Sequence, residues 1–194
     1  MNPPALIQST YHSIPALSKL GDFLLVHQAE RIPKNEVLVR RNGGCPSYWI
    51  IETGLLRSFI IDAEGNEVTT GFYGTGDISL EFSSFFLDLP AKESLKAETD
   101  TKAYAVPKSV FFQYFNEVPA LQEWGRGWMV NFLIQRQNRY LESHTLSAPE
   151  RYEALISARP SVIRYAALKH IASYLNIADS TLSRIRKNIN PSIS

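Results

Sequence analysis

The stretch Tyr48–Tyr73, YWIIETGLLRSFIIDAEGNEVTTGFY, decides the fold of the first half of the chain. Three of its runs are rich in β-branched and aromatic residues and predict strands: Tyr48–Ile51, Leu55–Ile61 and Glu67–Tyr73. The segment between the second and third runs, Asp62-Ala63-Glu64-Gly65-Asn66, is typical of a hairpin turn.

Further short strands are predicted on both sides of this stretch, at Glu36–Arg40, Leu95–Thr99 and Lys102–Val106. So many short strands separated by glycine-containing turns favour a sandwich or a barrel. Residues 5–25 before them have a helical pattern, which Pro15 is expected to split.

After Pro107 the pattern becomes helical. A short helix is predicted to end by Val118, and a longer one follows at about Pro119–His144, with its proline in the first turn. At about 1.5 Å per residue the long helix spans nearly 40 Å, so its apolar faces need partners along their length. Packing on the β domain of the same chain is one explanation, and pairing with a second copy is the more specific one.

The composition excludes several classes of protein. Of the 194 residues, 44% are hydrophobic and 20% are charged, which is ordinary for a globular chain. No apolar run is long enough for a transmembrane helix, and the first residues lack the pattern of a secretion signal, so we expect a cytoplasmic protein. Cys45 is the only cysteine, which excludes an internal disulfide and an all-cysteine metal or iron–sulfur site. We expect no cofactor.

The charge is unevenly distributed although the net charge is only +1. Residues 159–194 contain six basic residues and one acid, a local charge of +5, and residues 1–158 have a charge of −4. A basic terminus on a mildly acidic body indicates a polyanionic partner. A solvated basic terminus explains the same pattern equally well.

The C-terminal part begins with a capping box, Ser147-Ala-Pro-Glu150, which predicts a new helix over Ala148–Ile156. The segment Leu168–Lys187, LKHIASYLNIADSTLSRIRK, then has the pattern of two helices around a tight turn. Asn176 occupies the turn position that often needs a left-handed backbone. This pattern is typical of a helix-turn-helix, whose second helix enters the DNA major groove, although any tight pair of helices could have it.

The second helix of this segment has a polar face. We expect Arg184 to bind guanine with two parallel hydrogen bonds, and Thr181, Arg186 and Lys187 to contact phosphates. Asp179 is expected to cap the helix, with acceptance from a cytosine amino group as the alternative.

Over nearly its whole length the chain resembles the Crp–Fnr family of bacterial transcription regulators. The stretches that carry the resemblance are NEVLVRRNG, YWIIETGLLRSFIIDAEGNEV, YGTGD and IASYLNIADSTLSRIR. The resemblance implies an α+β fold with a β-roll of the double-stranded β-helix or jelly-roll kind. It implies three parts: a cyclic-nucleotide-binding-like sensor domain (1–117), a long dimerisation helix and linker (118–146), and a helix-turn-helix DNA-binding domain (147–194). It also implies that Asp179, Ser180, Ser183 and Arg184 contact bases.

Three departures from the family pattern lead to expectations of their own. The family pairs a glutamate with an arginine ten residues later to hold a cyclic nucleotide. Here Glu81 is present, but Ala91 stands at the arginine position, beside Lys92. We therefore expect that cyclic AMP is not bound in the family's way and that Glu81 is a solvated or hydrogen-bonded remnant. Arg136 and Gln137 match positions that close the family's pocket, but we expect them at the surface. Residues 158–167 predict a turn and a short helix, so little or no β-hairpin wing is expected.

The function predicted from the sequence is a homodimeric, sequence-specific regulator that binds double-stranded DNA. Whether it also binds a small-molecule effector is left open. The alternative is a ligand-sensing or protein-interaction module that does not bind DNA. The chain has no HExxH, GxSxG, Walker or GxGxxG motif, so no enzyme is predicted and no metal site is expected. The four histidines show no ligand constellation and are expected mostly at the surface.

Overall fold

A computed structural model describes residues 5–11, 23 and 25–189. Two four-stranded antiparallel sheets form the first half, with strand orders β1-β8-β3-β6 and β2-β7-β4-β5. Together they form a β-roll. The strands are β1 (Gln28–Ile32), β2 (Val37–Val39), β3 (Ser47–Thr53), β4 (Leu56–Ile61), β5 (Glu67–Tyr73), β6 (Ile78–Ser79), β7 (Ser94–Ala97) and β8 (Thr101–Pro107).

The helices precede, interrupt and follow the roll. They are α1 (Ala5–Thr10), α2 (Phe82–Leu87), α3 (Lys108–Glu117), α4 (Pro119–Thr145), α5 (Ala148–Ala158), α6 (Pro160–Tyr165), α7 (Leu168–Tyr174) and α8 (Asp179–Ile189). No described helix has the combined length and apolarity needed to cross a bilayer.

The predicted hairpin is confirmed, because β4 and β5 pair antiparallel on either side of Asp62–Asn66. The Asp62 carboxylate accepts hydrogen bonds from the backbone N–H groups of Glu64 (3.1 Å) and Asn66 (2.7 Å). Gly65 has φ +87°, a backbone conformation that residues with a side chain rarely adopt. These bonds fix the turn, and the turn sets the register of the two strands.

The α+β prediction holds for the described residues, with several differences in detail. Strands β1 and β6 and helix α2 were not predicted. Of the helix predicted over 5–25, α1 lies within it and Phe23 and Leu25 are helical, while the expected break at Pro15 lies outside the described residues. In the segment 158–167 the structure has the short helix α6, as predicted.

The described residues form two hydrophobic cores. The larger one fills the roll and extends to the aromatic face of α4, where Trp124, Trp128 and Phe132 pack. The smaller one lies among α5 to α8 and includes Leu55 and Phe72 of the roll. The C-terminal helices are therefore packed against the roll through a shared core.

Candidate functional site

The C-terminal helix pair, α7 and α8, is built around a left-handed residue in its turn. Asn176 has φ +54°, as the sequence predicted, and the next residue, Ile177, donates its backbone N–H to the carbonyl of Ala172 at 3.0 Å. Ala172 is fully buried, which lets the two helices approach closely. Leu182 and Ile185 of α8 are buried in the same core. The apolar face of α8 therefore packs in the core of the C-terminal helices.

The opposite face of α8 is open to solvent. Arg184 and Ser183 are exposed, and Thr181 and Arg186 are half-buried. The other exposed members of the predicted contact set are Asp179, Ser180 and Lys187. The structure therefore brings all of the predicted base-reading side chains to one accessible helix, with two cations in its last turn.

Asp179 is the first residue of α8, and Ala178 precedes it. Asp179 was expected at the N-cap, but it is the first helical residue, one position later, so that expectation is wrong. An acid in the first turn still stabilises a helix through its interaction with the macrodipole.

Glu81, which the resemblance relates to the glutamate of a nucleotide cassette, is buried and caps α2. Its carboxylate accepts hydrogen bonds from the backbone N–H groups of Ser84 (2.8 Å) and Lys92 (3.2 Å). Of the two expected alternatives for Glu81, a solvated or a hydrogen-bonded carboxylate, the structure has the hydrogen-bonded one. Ala91 is fully buried, and the Lys92 side chain is exposed. The backbone of Lys92 therefore reaches Glu81, but the region gains no buried cation in place of the family's arginine.

The long helix contributes different side chains from those predicted. Gln137 is exposed, as expected, but Arg136 is half-buried and donates to the carbonyl oxygen of Thr70 at 2.9 Å. Arg139, which the sequence did not single out, donates to the same oxygen at 2.6 Å. Its guanidinium also lies 4.6 Å from the centroid of the Tyr174 ring. Arg139 therefore joins α4, β5 and α7.

Thr70 and Tyr73 of β5 lie near both acidic and basic side chains, namely Glu93 and the two arginines of α4. The Thr70 hydroxyl hydrogen-bonds to Glu93 and to the hydroxyl of Ser58. Burial and the nearby charge of Glu93 raise the pKa of Tyr73 to about 12, so its phenol stays neutral. The sequence did not indicate Glu93, because it lies two residues beyond the position at which the family has an arginine. Glu93 is therefore a second carboxylate in the same stretch of the roll as Ala91 and Lys92.

A buried charge network connects the roll to α7. Arg57 of β4 is fully buried and pairs with Glu67 of β5 and with Glu98, whose Oε2 lies 3.1 Å from its Nε. His170 of α7 completes the network, with Nδ1 2.6 Å from Oε1 of Glu98. The backbone N–H of Ala167 donates to the same carboxylate oxygen at 3.0 Å.

The pKa of the Glu98 carboxyl is strongly shifted by this environment. Burial raises the pKa of its carboxyl, but the hydrogen bonds from His170 and Ala167 and the charges of His170 and Arg57 outweigh it and lower the pKa to about 2. For Glu67, burial likewise raises the pKa, and the bond and charge of Arg57 bring it below the ordinary value. The only sequence signal for this network was an arginine inside the apolar run of β4.

Two histidines differ from the surface expectation. His170 is half-buried in the network, and His27 is buried, with Nε2 3.1 Å from the Tyr11 hydroxyl and 3.3 Å from the Tyr48 hydroxyl. Burial raises the pKa of both tyrosines. This cluster fastens α1 to the roll. His144 is exposed, and His12 lies outside the described residues.

The long helix α4 carries a second apolar face, which the described residues of the chain leave exposed. It lies opposite Trp124 and Trp128, which pack on the roll. Its members are exposed by 46% to 66% and consist of Val130, Leu133, Ile134, Tyr140 and Leu141. They recur with spacings of three, four and seven residues, as in a helix pairing seam.

Comparison with known proteins supports the same overall picture. Residues 29–118 match the family model described as a cyclic nucleotide-binding domain. No curated protein sequence matches the chain.

Three solved structures share the fold at low sequence identity. FixK2 from Bradyrhizobium japonicum superposes with a TM-score of 0.75 at 16% identity, covering 86% of this chain and 85% of that one. A protein of Eubacterium rectale placed in the Crp/Fnr family gives a TM-score of 0.71 at 15% identity, with coverages of 91% and 84%. The c-di-GMP responsive global regulator CLP of Xanthomonas campestris gives 0.68 at 13% identity, with coverages of 90% and 91%. Residues 29–118 therefore match the model of a cyclic nucleotide-binding domain, and the chain shares its fold with these three solved structures.

Proposed function

We propose that this protein is a homodimeric, sequence-specific DNA-binding transcription regulator and not an enzyme. The observation that carries the proposal is the open polar face of α8, where Ser183 and Arg184 are exposed opposite the buried Leu182 and Ile185. A helix whose inner face packs in the core and whose outer face is exposed can enter the major groove without disturbing the core that supports it. The local charge of +5 over residues 159–194 favours the approach of a polyanion.

Different side chains of α8 have different roles in this proposal. Arg184 binds guanine through its two parallel N–H donors, and Ser180 and Ser183 contact neighbouring base edges. Thr181, Arg186 and Lys187 bind phosphates, which fixes the position of the helix without selecting a sequence. Release of condensed counterions by the basic side chains supplies most of the sequence-independent affinity.

The second copy is proposed to bind along the uncovered apolar face of α4. Leu133 and Leu141 are 66% and 49% exposed in the single chain, and leucine side chains gain about 1.5–3 kcal/mol each when fully buried. Paired long helices would place two α8 helices about 34 Å apart, the distance between successive major grooves. The binding site is then a palindrome of two half-sites.

The nucleotide pocket of the roll is proposed not to bind cyclic AMP or cyclic GMP in the family's way. Glu81 already accepts hydrogen bonds from the N–H groups of Ser84 and Lys92, and Glu93, bonded to the Thr70 hydroxyl, is a second carboxylate of the roll. A cyclic phosphate would meet these carboxylates without a buried cation. Calorimetry with both cyclic nucleotides tests this, and micromolar affinity for either one contradicts it.

Selection of bound sequences from random duplex DNA with the purified full chain tests the main proposal. The expected result is an enriched palindrome with half-sites one helical turn apart, bound with an affinity that falls steeply with salt. A chain that is retained neither on heparin nor on random DNA at low salt is a ligand-sensing or protein-interaction module instead. That result overturns the proposal.

A further inference from the structure

Asp179 is the only acid in α8, whose other charged side chains are Arg184, Arg186 and Lys187. It is also the one acid among residues 159–194. Its side chain is exposed and lines an open groove of about 790 Å³ beside the turn between α7 and α8. The carboxylate therefore lies on the surface that is proposed to approach DNA, where a negative charge is unfavourable.

The described part of the chain makes no use of this carboxylate. Asp179 is the first helical residue, so its side chain does not cap the helix. None of the ion pairs among the described residues involves it, and Lys169, which lines the same groove, is not paired with it. When another surface closes over a carboxylate, the lost water must be replaced by a hydrogen-bond donor, or binding is weakened. Asp179 therefore needs a donor from the molecule that binds to α8.

The position of Asp179 on α8 places it among the side chains that face the base edges in the proposed complex. Ser183 follows four residues later and is exposed, so the two side chains share one strip of the helix surface. Leu182 and Ile185 lie on the other side, in the core. In a helix-turn-helix, the first residues of the second helix are those that contact the base edges. Asp179 is the first of these residues.

The base edges of the major groove differ in what they offer to a carboxylate. An ionised carboxylate can only accept hydrogen bonds. Guanine presents two acceptors, N7 and O6, and thymine presents the acceptor O4 beside a methyl group. Adenine presents the N6 amino donor next to the acceptor N7, whereas cytosine presents the N4 amino donor alone. Cytosine is therefore the most favourable base for a carboxylate.

We propose that Asp179 determines specificity by accepting a hydrogen bond from the N4 amino group of one cytosine in each half-site. This proposal rests on the proposed function, because it requires α8 to lie in the major groove. On other sequences the carboxylate loses water without gaining a donor and lies close to phosphates, so the affinity for that DNA is lower. Asp179 thus acts against non-specific binding, whereas Arg186 and Lys187 strengthen binding to every sequence.

Fluorescence anisotropy of the full chain with the operator selected from random duplexes tests this role. For the wild type, each half-site should contain one cytosine whose replacement by thymine weakens binding by about tenfold or more. In Asp179→Ala this preference should disappear, and the affinity for random DNA should increase, because a negative charge is removed from the interface. In Asp179→Asn the preference at the same position should change to adenine, since an amide accepts from N6 and donates to N7.

Glu153→Gln is the matched control, because it removes an exposed carboxylate from α5, outside α8. It should keep every base preference of the wild type. Asp179→Asn replaces a single side-chain oxygen by an amino group and should keep the unfolding transition of the wild type. Its base preference therefore reports on the contact itself, even if Asp179→Ala is less stable.

Two results overturn the proposal, and they differ in what they leave standing. If the wild type selects an operator and both Asp179 variants keep its cytosine preferences, Asp179 does not read cytosine, and the proposed function is unaffected. If the wild type selects no sequence from random DNA, the proposed function fails, and the role of Asp179 fails with it.

Discussion

The imidazole of His170 lies with Nδ1 2.6 Å from Oε1 of Glu98, which connects α7 directly to the roll. Glu98 is buried and also pairs with the fully buried Arg57. Arg57 in turn pairs with Glu67 and donates to the Thr69 hydroxyl at 3.2 Å. A buried arginine is tolerated only where its charge is compensated, so the integrity of the roll and the docking of α7 depend on the same carboxylates.

The ionised form of Glu98 is therefore expected to stabilise the folded protein in a pH-dependent way. Its pKa in the folded chain is about 2, below the ordinary value of 4.5, so the folded state favours the charged form. This stabilisation is fully present above the ordinary value and is lost as the pH falls toward 2. The free energy of unfolding of the wild type should decrease more steeply between about pH 5 and pH 3 than that of Glu98→Gln.

Urea denaturation at a series of pH values measures this difference. Glu153→Gln on α5 removes an exposed carboxylate and is the control, which should follow the wild-type curve. Glu98→Gln is also expected to be less stable than the wild type at neutral pH, because Arg57 loses part of its compensation. Parallel curves for Glu98→Gln and the wild type would show that Glu98 does not carry this dependence.

Two glycines of the long helix provide a matched pair of substitutions. A Cβ atom at Gly125 would lie 2.9 Å from Cε2 of Phe115, whereas one at Gly127 would meet nothing within 4 Å. The Phe115 ring packs against Phe111 with a centroid distance of 5.1 Å, which limits how far it can move. Gly125→Ala is therefore expected to destabilise the chain by about 1–2 kcal/mol, the usual result of overpacking.

Gly127→Ala should instead stabilise the helix by about 0.5–1 kcal/mol, because alanine loses less backbone entropy than glycine. Thermal unfolding of both variants measures the two effects under the same conditions. Equal melting temperatures for the two variants would contradict the close contact between α4 and α3.

The sequence predicted regular elements better than it predicted the contacts between distant residues. The hairpin of β4 and β5 has strong local signals, and so does the long helix with its N-terminal proline. Strand β1 was missed because it is a mostly polar edge strand that pairs only with β8. Helix α2 was missed because its sequence, FSSFFL, lacks strong helix formers, and its start depends on the Glu81 carboxylate as a cap.

The same distinction applies to the candidate sites: features with a local sequence pattern were predictable, and contacts between distant residues were not. The outward face of α8 was predictable because Leu182 and Ile185 have helical spacing, which fixes the side that faces solvent. The Arg57 network and the contacts of Arg139 were not predictable, since each joins residues that are far apart in sequence. No local pattern indicates that Arg139 meets Thr70 and Tyr174, because that depends on how the C-terminal helices dock on the roll.

The uncovered face of α4 leads to a prediction about assembly. Leu133→Glu places a charge in the apolar seam, where burial of an unpaired carboxylate is unfavourable. The variant should elute as a single copy in size-exclusion chromatography with light scattering, whereas the wild type should have twice that mass. Leu133 is 66% exposed in the single chain, so the substitution should not unfold it.

Gln135→Glu is the control for this experiment, because Gln135 is exposed on α4 but lies outside the apolar face. It adds the same charge to the same helix and should leave the dimer intact. A wild-type mass equal to that of one copy at micromolar concentration would contradict the proposed seam. Dissociation of both variants alike would show only a general effect of charge on α4.

Arg184 and Lys187 of α8 should affect DNA binding in different ways. Both are exposed, but Arg184 is proposed to bind a base and Lys187 a phosphate. With the selected operator, Arg184→Ala should weaken binding by about 1–3 kcal/mol and relax the preference at one base pair of each half-site. Lys187→Ala should weaken binding to all sequences about equally and reduce the slope of log affinity against log salt by about one.

Fluorescence anisotropy with the operator, with single-base variants of it and with random DNA separates the two effects. The ratio of specific to non-specific affinity should fall for Arg184→Ala and should stay constant for Lys187→Ala, since a phosphate contact is present on every sequence. An unchanged base preference in Arg184→Ala would remove Arg184 from the base-reading set. Recognition would then have to come from Asp179 and from Ser180 and Ser183, whose single hydroxyl groups discriminate bases less strongly than a bidentate guanidinium does.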